Sequence, residues 1–282
     1  MTVALRIWLI TGISSGFGRH LTEQLLDRGD HIVGTVRRPD SVADLMEAHP
    51  DLLTVEVLDV RDTAALRAVV EHTISRFGRI DVVISNAGYG VFGAAEELTD
   101  QQVDAIMATN LTAGIQLIRA VLPHMREAGG GRIIQLSSYG GQVAFAGNSL
   151  YHATKWGIEG FCEAVAQEVA PFGIDVTIVE PGGARTEFRY GSAQVADALA
   201  AYAGTPARAF EKMLDPTNGL AVGDPARMAS AIIASVDRNL APLRIVLGSQ
   251  ALGGTISTLE ARLADFRTQK ELAASTDYPP GE

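Results

Sequence analysis

The feature that most constrains the fold of this chain is a repeated alternation between short apolar runs and longer amphipathic segments. Seven apolar runs have the length of buried strands, and they span residues 4–10, 31–36, 53–58, 82–85, 132–136, 174–180 and 243–247. Amphipathic segments of helical length follow strands in this series, at residues 17–28, 42–48, 63–77, 100–127, 149–171 and 224–238. Wholly apolar strands separated by helices indicate a parallel sheet that is covered on both faces. We therefore predict an α/β chain, a single domain over residues 1–282 with a doubly wound, seven-stranded parallel sheet.

Two segments depart from this alternation. Residues 188–223 interrupt it after the sixth strand and are rich in alanine. Insertions at the carboxyl ends of parallel strands lie where ligands bind, so we expect a small helical lid over a substrate. The chain after Gly248 predicts one further amphipathic helix over about residues 256–272.

Composition and charge exclude several functional classes. The chain has 33 acidic and 23 basic residues, and its formal net charge of −10 opposes binding to the phosphate backbone of nucleic acids. The single cysteine, Cys162, permits neither an internal disulfide nor a cysteine zinc site, so we expect a cytoplasmic protein without a metal centre. No charge-free apolar run has the length of a transmembrane helix, so we expect no membrane span.

A glycine-rich turn follows the first strand and opens the first helix. It reads Thr11-Gly12-Ile13-Ser14-Ser15-Gly16-Phe17-Gly18. Gly12 permits the tight turn, Gly16 allows the backbone to approach a pyrophosphate, and Gly18 allows the helix to pack closely on the strand. Free N–H groups at the positive helix end favour phosphates. A purely structural turn would have the same glycines, but the strand before it and the helix after it are the context of a dinucleotide site.

The glycine spacing, G-x-x-x-G-x-G, resembles the cofactor loop of the classical short-chain dehydrogenase/reductase family. Six further motifs follow in the family's order as far as about Phe188: Asp59-Val60, Asn86-Ala87-Gly88, Asn110, Ser138, Tyr151-x-x-x-Lys155, and Pro181-Gly182 through Thr186. The segments around Asn86-Ala87-Gly88 and Pro181-Gly182 also resemble the branch that contains hydroxysteroid and retinol dehydrogenases. The family resemblance implies a Rossmann fold and a nicotinamide-dependent oxidoreductase that acts on CH–OH groups, most simply a carbonyl reductase.

Four residues carry the chemistry that this resemblance implies. Tyr151 and Lys155 lie one helical turn apart, and an ammonium beside a phenol lowers the phenol pKa. The resemblance implies that Tyr151 exchanges a proton with the substrate oxygen while Ser138 hydrogen-bonds the same oxygen. It also implies that Asn110 holds a water in a relay to Lys155. Ser137 competes with Ser138 by proximity, and only the family spacing favours Ser138.

The second strand predicts which nicotinamide cofactor binds. It ends at Val36, where an acidic residue would bind the adenosine ribose of NAD, and Arg37 and Arg38 follow. Guanidinium groups suit phosphate, so we expect NADP(H) rather than NAD(H), with Arg37 the better family match. The alternative is that both arginines cap a solvated turn. The resemblance assigns the cofactor to Gly12, Ser14, Ser15, Gly16, Phe17, Gly18, Arg37, Arg38, Asp59, Val60, Asn86, Ala87, Gly88, Tyr151, Lys155, Pro181, Gly182, Ala184 and Thr186.

The candidate substrate pocket is apolar and aromatic, and it has no evident Arg or Lys that could hold a carboxylate. Its residues are Tyr89, Tyr139, Val143, Phe145 and Tyr190. They predict a hydrophobic ketone, aldehyde or secondary alcohol as substrate. A homodimer or homotetramer is expected, because the helices at 100–127 and 149–171 look like the pair through which family members dimerise.

Two other functions compete with this interpretation. An NADP-sensing protein without chemistry would keep the nucleotide site, but such sensors commonly lose the Tyr or the Lys, and this chain has both Tyr151 and Lys155. A nucleotide-sugar epimerase can also use Tyr-x-x-x-Lys. Its glycine loop has different spacing, and the short substrate region here disfavours it.

Overall fold

The computed structural model describes residues 5–238 and 240–278, with the backbone alone at Tyr190. In this part of the chain, nine strands are numbered in order: β1 (Ile7–Thr11), β2 (His31–Val36), β3 (Leu53–Val57), β4 (Val82–Ser85), β5 (Val91–Phe92), β6 (Gly131–Leu136), β7 (Ile174–Pro181), β8 (Gln194–Val195) and β9 (Arg244–Leu247). Seven of them form one sheet in the order β3-β2-β1-β4-β6-β7-β9. All of its neighbours pair in parallel. The predicted seven-stranded parallel sheet is confirmed.

The α-helices of the same residues are numbered likewise: α1 (Gly16–Asp27), α2 (Ala43–Ala48), α3 (Thr63–Phe77), α4 (Asp100–Met107), α5 (Ala113–Ala128), α6 (Ser149–Val169), α7 (Glu187–Tyr190), α8 (Ala209–Leu214), α9 (Pro225–Val236), α10 (Ser249–Thr268) and α11 (Lys270–Ala274). A π-helical turn, Ala108–Thr112, joins α4 to α5. The predicted continuous helix at 100–127 is therefore interrupted at its middle.

Helices cover both faces of the sheet and enclose two apolar cores. On one face, Leu21 and Leu25 of α1 and Ile232 of α9 pack against strand residues such as Trp8. On the other face, α3, α5 and α6 contribute a second cluster, with Leu66, Leu117 and Ile158 as examples. Burying each such side chain stabilises the fold by about 1.5–3 kcal/mol. The doubly wound arrangement follows from these two layers.

One helix boundary and one small sheet differ from the prediction. The C-terminal helix α10 begins at Ser249, seven residues before the predicted start, because Gly248 with a φ of 109° ends β9 and the helix follows at once. The predicted helical lid contains α7, α8 and three 3₁₀ turns, but it also contains β8, which pairs in parallel with β5. These strands are two residues long, so no alternating pattern in the sequence could reveal them.

One helical stretch of the described residues, Asp100–Ala128, is long and apolar enough to cross a membrane by length and composition alone. Its buried side chains include Leu117, Ile118 and Val121, which belong to the second core cluster. A core helix of a globular protein passes the same test, and this packing is that of a core helix.

The sheet order reverses direction at its centre, where β1 lies between β2 and β4. In open α/β sheets, ligands bind outside the carboxyl ends of the strands at this point. Thr11 marks the position, since its hydroxyl accepts hydrogen bonds from the backbone N–H groups of Asn86 (3.0 Å) and Ala87 (3.1 Å). The end of β1 is thereby joined to the loop after β4.

Candidate active site

The glycine turn after β1 is shaped by backbone geometry that only glycine allows. Gly12 and Gly16 have φ angles of 74° and 55°, in the left-handed region. A Cβ atom on Gly18 would lie far inside van der Waals distance of the Gly12 carbonyl oxygen and 2.6 Å from Asn86 Nδ2. The first turn of α1 can therefore approach β1 closely only with glycine at position 18.

Asn86 fixes this turn from the neighbouring strand. Its side-chain amide donates to the carbonyl oxygens of Thr11 (2.8 Å) and Gly12 (3.0 Å). The amide of Asn86 thus satisfies backbone acceptors that the turn leaves free. The Asn-Ala-Gly motif serves here as a clamp on the glycine turn.

The N-terminus of α1 is suited to hold a phosphate. Ser15 is the N-cap residue, and its side chain makes no capping hydrogen bond. The first N–H groups of a helix have no partner within the helix, and they carry the positive end of its dipole. Because no side chain caps them here, these groups fit the pyrophosphate of a dinucleotide.

A cavity of about 730 Å³ lies over the carboxyl ends of the central strands, bordered by this turn. Most of the residues proposed from the sequence line it: Gly12, Ser14, Ser15, Gly16, Phe17, Arg37, Asp59, Val60, Asn86, Ala87, Gly88, Tyr89, Ser138, Tyr139, Phe145, Tyr151, Lys155, Pro181, Gly182, Ala184 and Thr186. Four others are not part of its wall: Gly18, Arg38, Asn110 and Val143. The side chain of Tyr190 lies outside the described residues.

Tyr151 is the buried phenol of this cavity. Burial raises its pKa to about 12, and a hydrogen bond with Ser138 opposes that rise. The sequence predicts that Lys155 lowers this pKa, but burial is the larger effect in the structure. The phenol therefore keeps its proton at neutral pH.

Lys155 lies beneath Tyr151 on the same face of α6. Its ammonium is 5.6 Å from the centroid of the Tyr151 ring and donates to the carbonyl oxygen of Leu136 at 2.8 Å. Burial lowers the pKa of Lys155 to about 8, while Glu159 one turn further on raises it. A buried amine with a pKa near neutrality can exchange a proton under physiological conditions.

The two neighbouring serines at the end of β6 have different partners. The Ser137 hydroxyl donates to Glu159 Oε1 at 2.5 Å, in the interior of the protein. Ser138 accepts from the N–H of Gly140 at 3.0 Å and hydrogen-bonds Tyr151. The geometry thus gives a physical reason to prefer Ser138, because the hydroxyl of Ser137 is already engaged.

Asn110 lies in the π-helical turn between α4 and α5. Its amide nitrogen donates to the carbonyl oxygen of Tyr89 at 2.8 Å, and its oxygen accepts from the N–H of Tyr89 at 3.0 Å. Both groups of the amide therefore hold the loop after β4. π-helical turns of this kind often occur at functional sites.

The two arginines after β2 occupy different positions. Both are exposed, but Arg37 lines the cavity beside Val36, whereas Arg38 lies outside the cavity wall and precedes a short 3₁₀ turn. Asp59 lies nearby, and its ion pair with Arg61 (2.6 Å) lowers the pKa of the Asp59 carboxyl. A positive group thus lies at the end of the cavity where the adenosine ribose would bind.

Sequence reasoning missed several residues of the substrate side. His152 holds the loop before α6 in place. Its ring contacts the Gly140 carbonyl oxygen at 2.8 Å and accepts a hydrogen bond from the N–H of Phe145 at 3.0 Å. Phe188 packs on Tyr151, with ring centroids 5.4 Å apart. Arg189, the next residue, also lines the cavity. The expectation that the pocket has no evident Arg is therefore wrong. The only sequence signal for Arg189 was its position in the predicted lid.

Comparisons with known proteins all point to one family. A model of the short chain dehydrogenase family matches residues 6–195. Oxidoreductase BOA17 of Botryotinia fuckeliana is 35% identical over 272 residues, which cover 96% of this chain and 99% of that protein. A 3-ketodihydrosphingosine reductase of Bacteroides thetaiotaomicron is 40% identical over 183 residues, or 65% of each chain. The crystal structure of a short-chain dehydrogenase from Streptomyces avermitilis has 38% identity and a TM-score of 0.91, covering 98% of this chain and 100% of that one.

Proposed function

The chain belongs to the short-chain dehydrogenase family, and from this premise we propose that it is an NADP(H)-dependent oxidoreductase of hydrophobic ketones and aldehydes or of secondary alcohols. The observation that carries the proposal is the meeting of Ser138, Tyr151 and Lys155 in the wall of the cavity that the glycine turn borders. The alternative, an NADP-sensing protein that catalyses no reaction, does not require a buried phenol beside a buried amine.

The proposed mechanism assigns the proton to Tyr151. When bound, the nicotinamide cofactor supplies or accepts the hydride. In reduction, Tyr151 donates its phenolic proton to the carbonyl oxygen of the substrate, and Ser138 hydrogen-bonds the same oxygen. With a pKa of about 12, the phenol is protonated at neutral pH and ready for this direction. Lys155 lies close enough to stabilise the phenolate that remains.

Asn110 has a positioning role in this proposal. Its amide is occupied by both backbone groups of Tyr89, so it holds the loop after β4, which lines the cavity. We also propose that Asn110 and its neighbours hold a relay water, as the family resemblance implies. Any such water would have to bind the backbone of the π-helical turn, because the side chain is engaged.

The proposed preference for NADP(H) rests on charge. Val36 offers no carboxylate to the ribose, and Arg37 lines the cavity immediately after it. An arginine there would bind a ribose phosphate by charge-assisted hydrogen bonds. The contribution of Arg38 is proposed to be smaller, since it is not part of the cavity wall.

The proposed hydrophobic substrate follows from the apolar side chains in the cavity wall, which include Phe92, Phe145, Phe188 and Met213. Of these, Phe188 packs directly on Tyr151. A relative that is 40% identical is named as a reductase of a ketone, which supports the reductive direction. The test is a panel of ketones, aldehydes and secondary alcohols followed at the nicotinamide absorbance with each cofactor. Turnover of apolar ketones with NADPH is expected, and the absence of turnover with every compound would contradict an enzymatic role.

A cytoplasmic location and a homodimeric or homotetrameric state are part of the same proposal. Cys162 is buried, and burial raises its thiol pKa to about 12, so it is protected from oxidation. Light scattering of the purified protein measures the subunit number, and a monomer at all concentrations would contradict the proposed oligomer.

A further inference from the structure

Arg189 places a positive charge in the wall of an otherwise largely apolar part of the cavity. It lies in the short helix α7, directly after the Phe188 ring that packs on Tyr151. Its guanidinium rests against Gly183, because a Cβ atom on that glycine would lie 2.7 Å from Arg189 Nη2. The side chain is half-buried and borders the cavity.

Arg189 has no partner among the residues that the structure describes, unlike the other arginines of the lid region. Arg208 is paired with the buried carboxylate of Glu97, and Arg185 donates to the carbonyl oxygen of Ala221 at 2.8 Å. No ion pair or side-chain hydrogen bond of Arg189 occurs within residues 5–238 and 240–278. The side chain is only half-buried, and no group of the described residues occupies its N–H donors. The guanidinium is therefore available to an anion in the cavity.

The surroundings of Arg189 indicate which end of the cavity the anion occupies. Burial raises the pKa of the Tyr139 phenol, and the Arg189 guanidinium opposes that rise, so the two groups are within electrostatic reach. Tyr139 in turn raises the pKa of Tyr151. Arg189 is thus close to the reacting end, whereas Arg37 lies at the end of β2, where the adenosine ribose would bind.

A second polar atom is available at the same end. The side-chain oxygen of Asn148, the N-cap residue of the helix that carries Tyr151, is buried without a hydrogen-bond partner. Asn148 also lines the cavity. An oxygen of this kind accepts from a hydroxyl or amide of a ligand. The part of the cavity near Tyr151 therefore combines aromatic side chains with the Arg189 guanidinium and the Asn148 acceptor.

We infer that Arg189 is a specificity-determining residue that binds a carboxylate of the substrate, which makes the preferred substrate an apolar keto acid or hydroxy acid. This inference rests on the proposed oxidoreductase function. The planar guanidinium has two parallel donors that match a carboxylate, which an ester or a simple ketone lacks. A phosphate of the cofactor is the other anion that could bind Arg189, and the experiment separates the two.

The experiment compares phenyl keto acids, such as benzoylformate and benzoylpropionate, with their methyl esters under NADPH. Wild-type protein is expected to have the larger kcat/KM for at least one acid over its ester. Arg189→Ala is expected to lower that acid-to-ester ratio by about tenfold or more, the size of a lost charge-assisted pair, and to leave the ester rate close to wild type. Arg185→Ala is the matched control, because it removes a neighbouring lid arginine that is already engaged.

A second variant keeps the charge and changes only its position. Gly183→Ala adds a methyl group where Arg189 Nη2 lies, so the flexible guanidinium must move while the net charge stays the same. The acid-to-ester ratio is expected to fall in this variant too, and thermal melting confirms that the protein is folded. NADPH affinity is measured in parallel by fluorescence titration.

The outcomes separate this inference from the proposed function. Two results would overturn the carboxylate site and still leave an oxidoreductase. One is an acid-to-ester ratio that Arg189→Ala leaves unchanged. The other is weaker NADPH binding in that variant together with equal falls in kcat/KM for acid and ester. Failure of the wild-type protein to turn over any carbonyl compound would instead remove the proposed function on which the inference rests.

Discussion

The two sides of the cavity are held together in different ways. On the cofactor side, the glycine turn is clamped by backbone contacts and by the Asn86 amide, and Gly18 has no room for a side chain. On the lid side, a few side chains from distant parts of the chain make the connection. Glu97 accepts from Arg208 and from the N–H of Leu199 at 2.8 Å.

This difference separates the two tasks of the site. Backbone geometry at the cofactor side admits few substitutions, so the residues around a nicotinamide are prescribed by the turn itself. The lid can change its side chains without disturbing the seven-stranded sheet, because Glu97 and Arg208, which hold it, lie outside that sheet. Substrate choice can therefore vary while the hydride chemistry stays the same.

The largest effect is expected where the two sides meet. Tyr151→Phe removes the proton donor and keeps the ring against Phe188, so kcat should fall by about 10²-fold or more. Cofactor affinity should change little. Tyr202→Phe is the control, since that lid tyrosine contacts Glu96 and lies away from the reacting end. Near-normal turnover by Tyr151→Phe on an established substrate would mean that another group supplies the proton.

The cofactor side can be tested by its choice of nucleotide. Val36→Asp combined with Arg37→Ala adds an acceptor for the ribose hydroxyl and removes the phosphate partner. One charge-assisted contact is worth about 1.5–3 kcal/mol, or roughly tenfold to hundredfold in preference, so the ratio of kcat/KM for NADPH over NADH should reverse. Arg38→Ala, outside the cavity wall, should change the ratio much less. A wild-type enzyme that uses NADH as efficiently as NADPH would contradict the role of Arg37.

The rigidity of the cofactor side is tested by a pair of glycine substitutions. Gly18→Ala forces a methyl group into the Gly12 carbonyl and the Asn86 amide, and overpacking of this kind costs about 1–3 kcal/mol. NADPH affinity should fall with it. Gly160→Ala in α6 is the control, because no atom lies within 4 Å of its added Cβ and alanine is the better helix former by about 1 kcal/mol. Equal melting temperatures for the two variants would show that the turn can adjust.

The same contrast explains what the sequence could predict. The sheet follows from apolar runs and crossover helices, and the glycine turn follows from spacing, so both are local signals that the structure confirms. The contact of Arg189 with Gly183 joins α7 to the loop directly after β7. The Glu97–Arg208 pair joins residues more than a hundred positions apart. Such contacts leave no periodic pattern. The π-helical turn at Asn110 was hidden for a similar reason, since its residues suit an α-helix equally well.

The smallest expected effects are on the pH dependence of stability. Two buried carboxylates, Glu180 and Glu97, are expected to change the stability with opposite signs. Glu180, at the end of β7, is buried, and burial with the nearby Glu159 raises its pKa to about 7 although Arg244 opposes this. Its native pKa lies above that of an unfolded chain, so its contribution to stability is full below about pH 4 and is lost as the pH rises through about 7. Glu97 contacts the lid from the turn after β5. Burial would raise the pKa of Glu97, but hydrogen bonds from Leu199, Ala94 and Arg208 outweigh that effect and lower the pKa. The contribution of Glu97 is therefore present at neutral pH and is lost in acid.

Thermal melting and limited proteolysis between about pH 4 and pH 9 separate the two carboxylates. Glu180→Gln should remove the decline in melting temperature that the wild type shows as the pH rises from about 4 through about 7, because the neutral amide cannot ionise in the core. Glu97→Gln should leave that decline in place. It should also make the lid, residues 188–223, open to proteolysis at neutral pH, as we expect for the wild type in acid. Glu96→Gln is the matched control for the lid, since its carboxylate contacts only the Tyr202 hydroxyl among the hydrogen bonds of the described residues. Equal cleavage of the lid in Glu96→Gln and Glu97→Gln would show that the lid does not need the buried carboxylate to stay closed. The cofactor side and the lid side would then differ only in how their backbones are held.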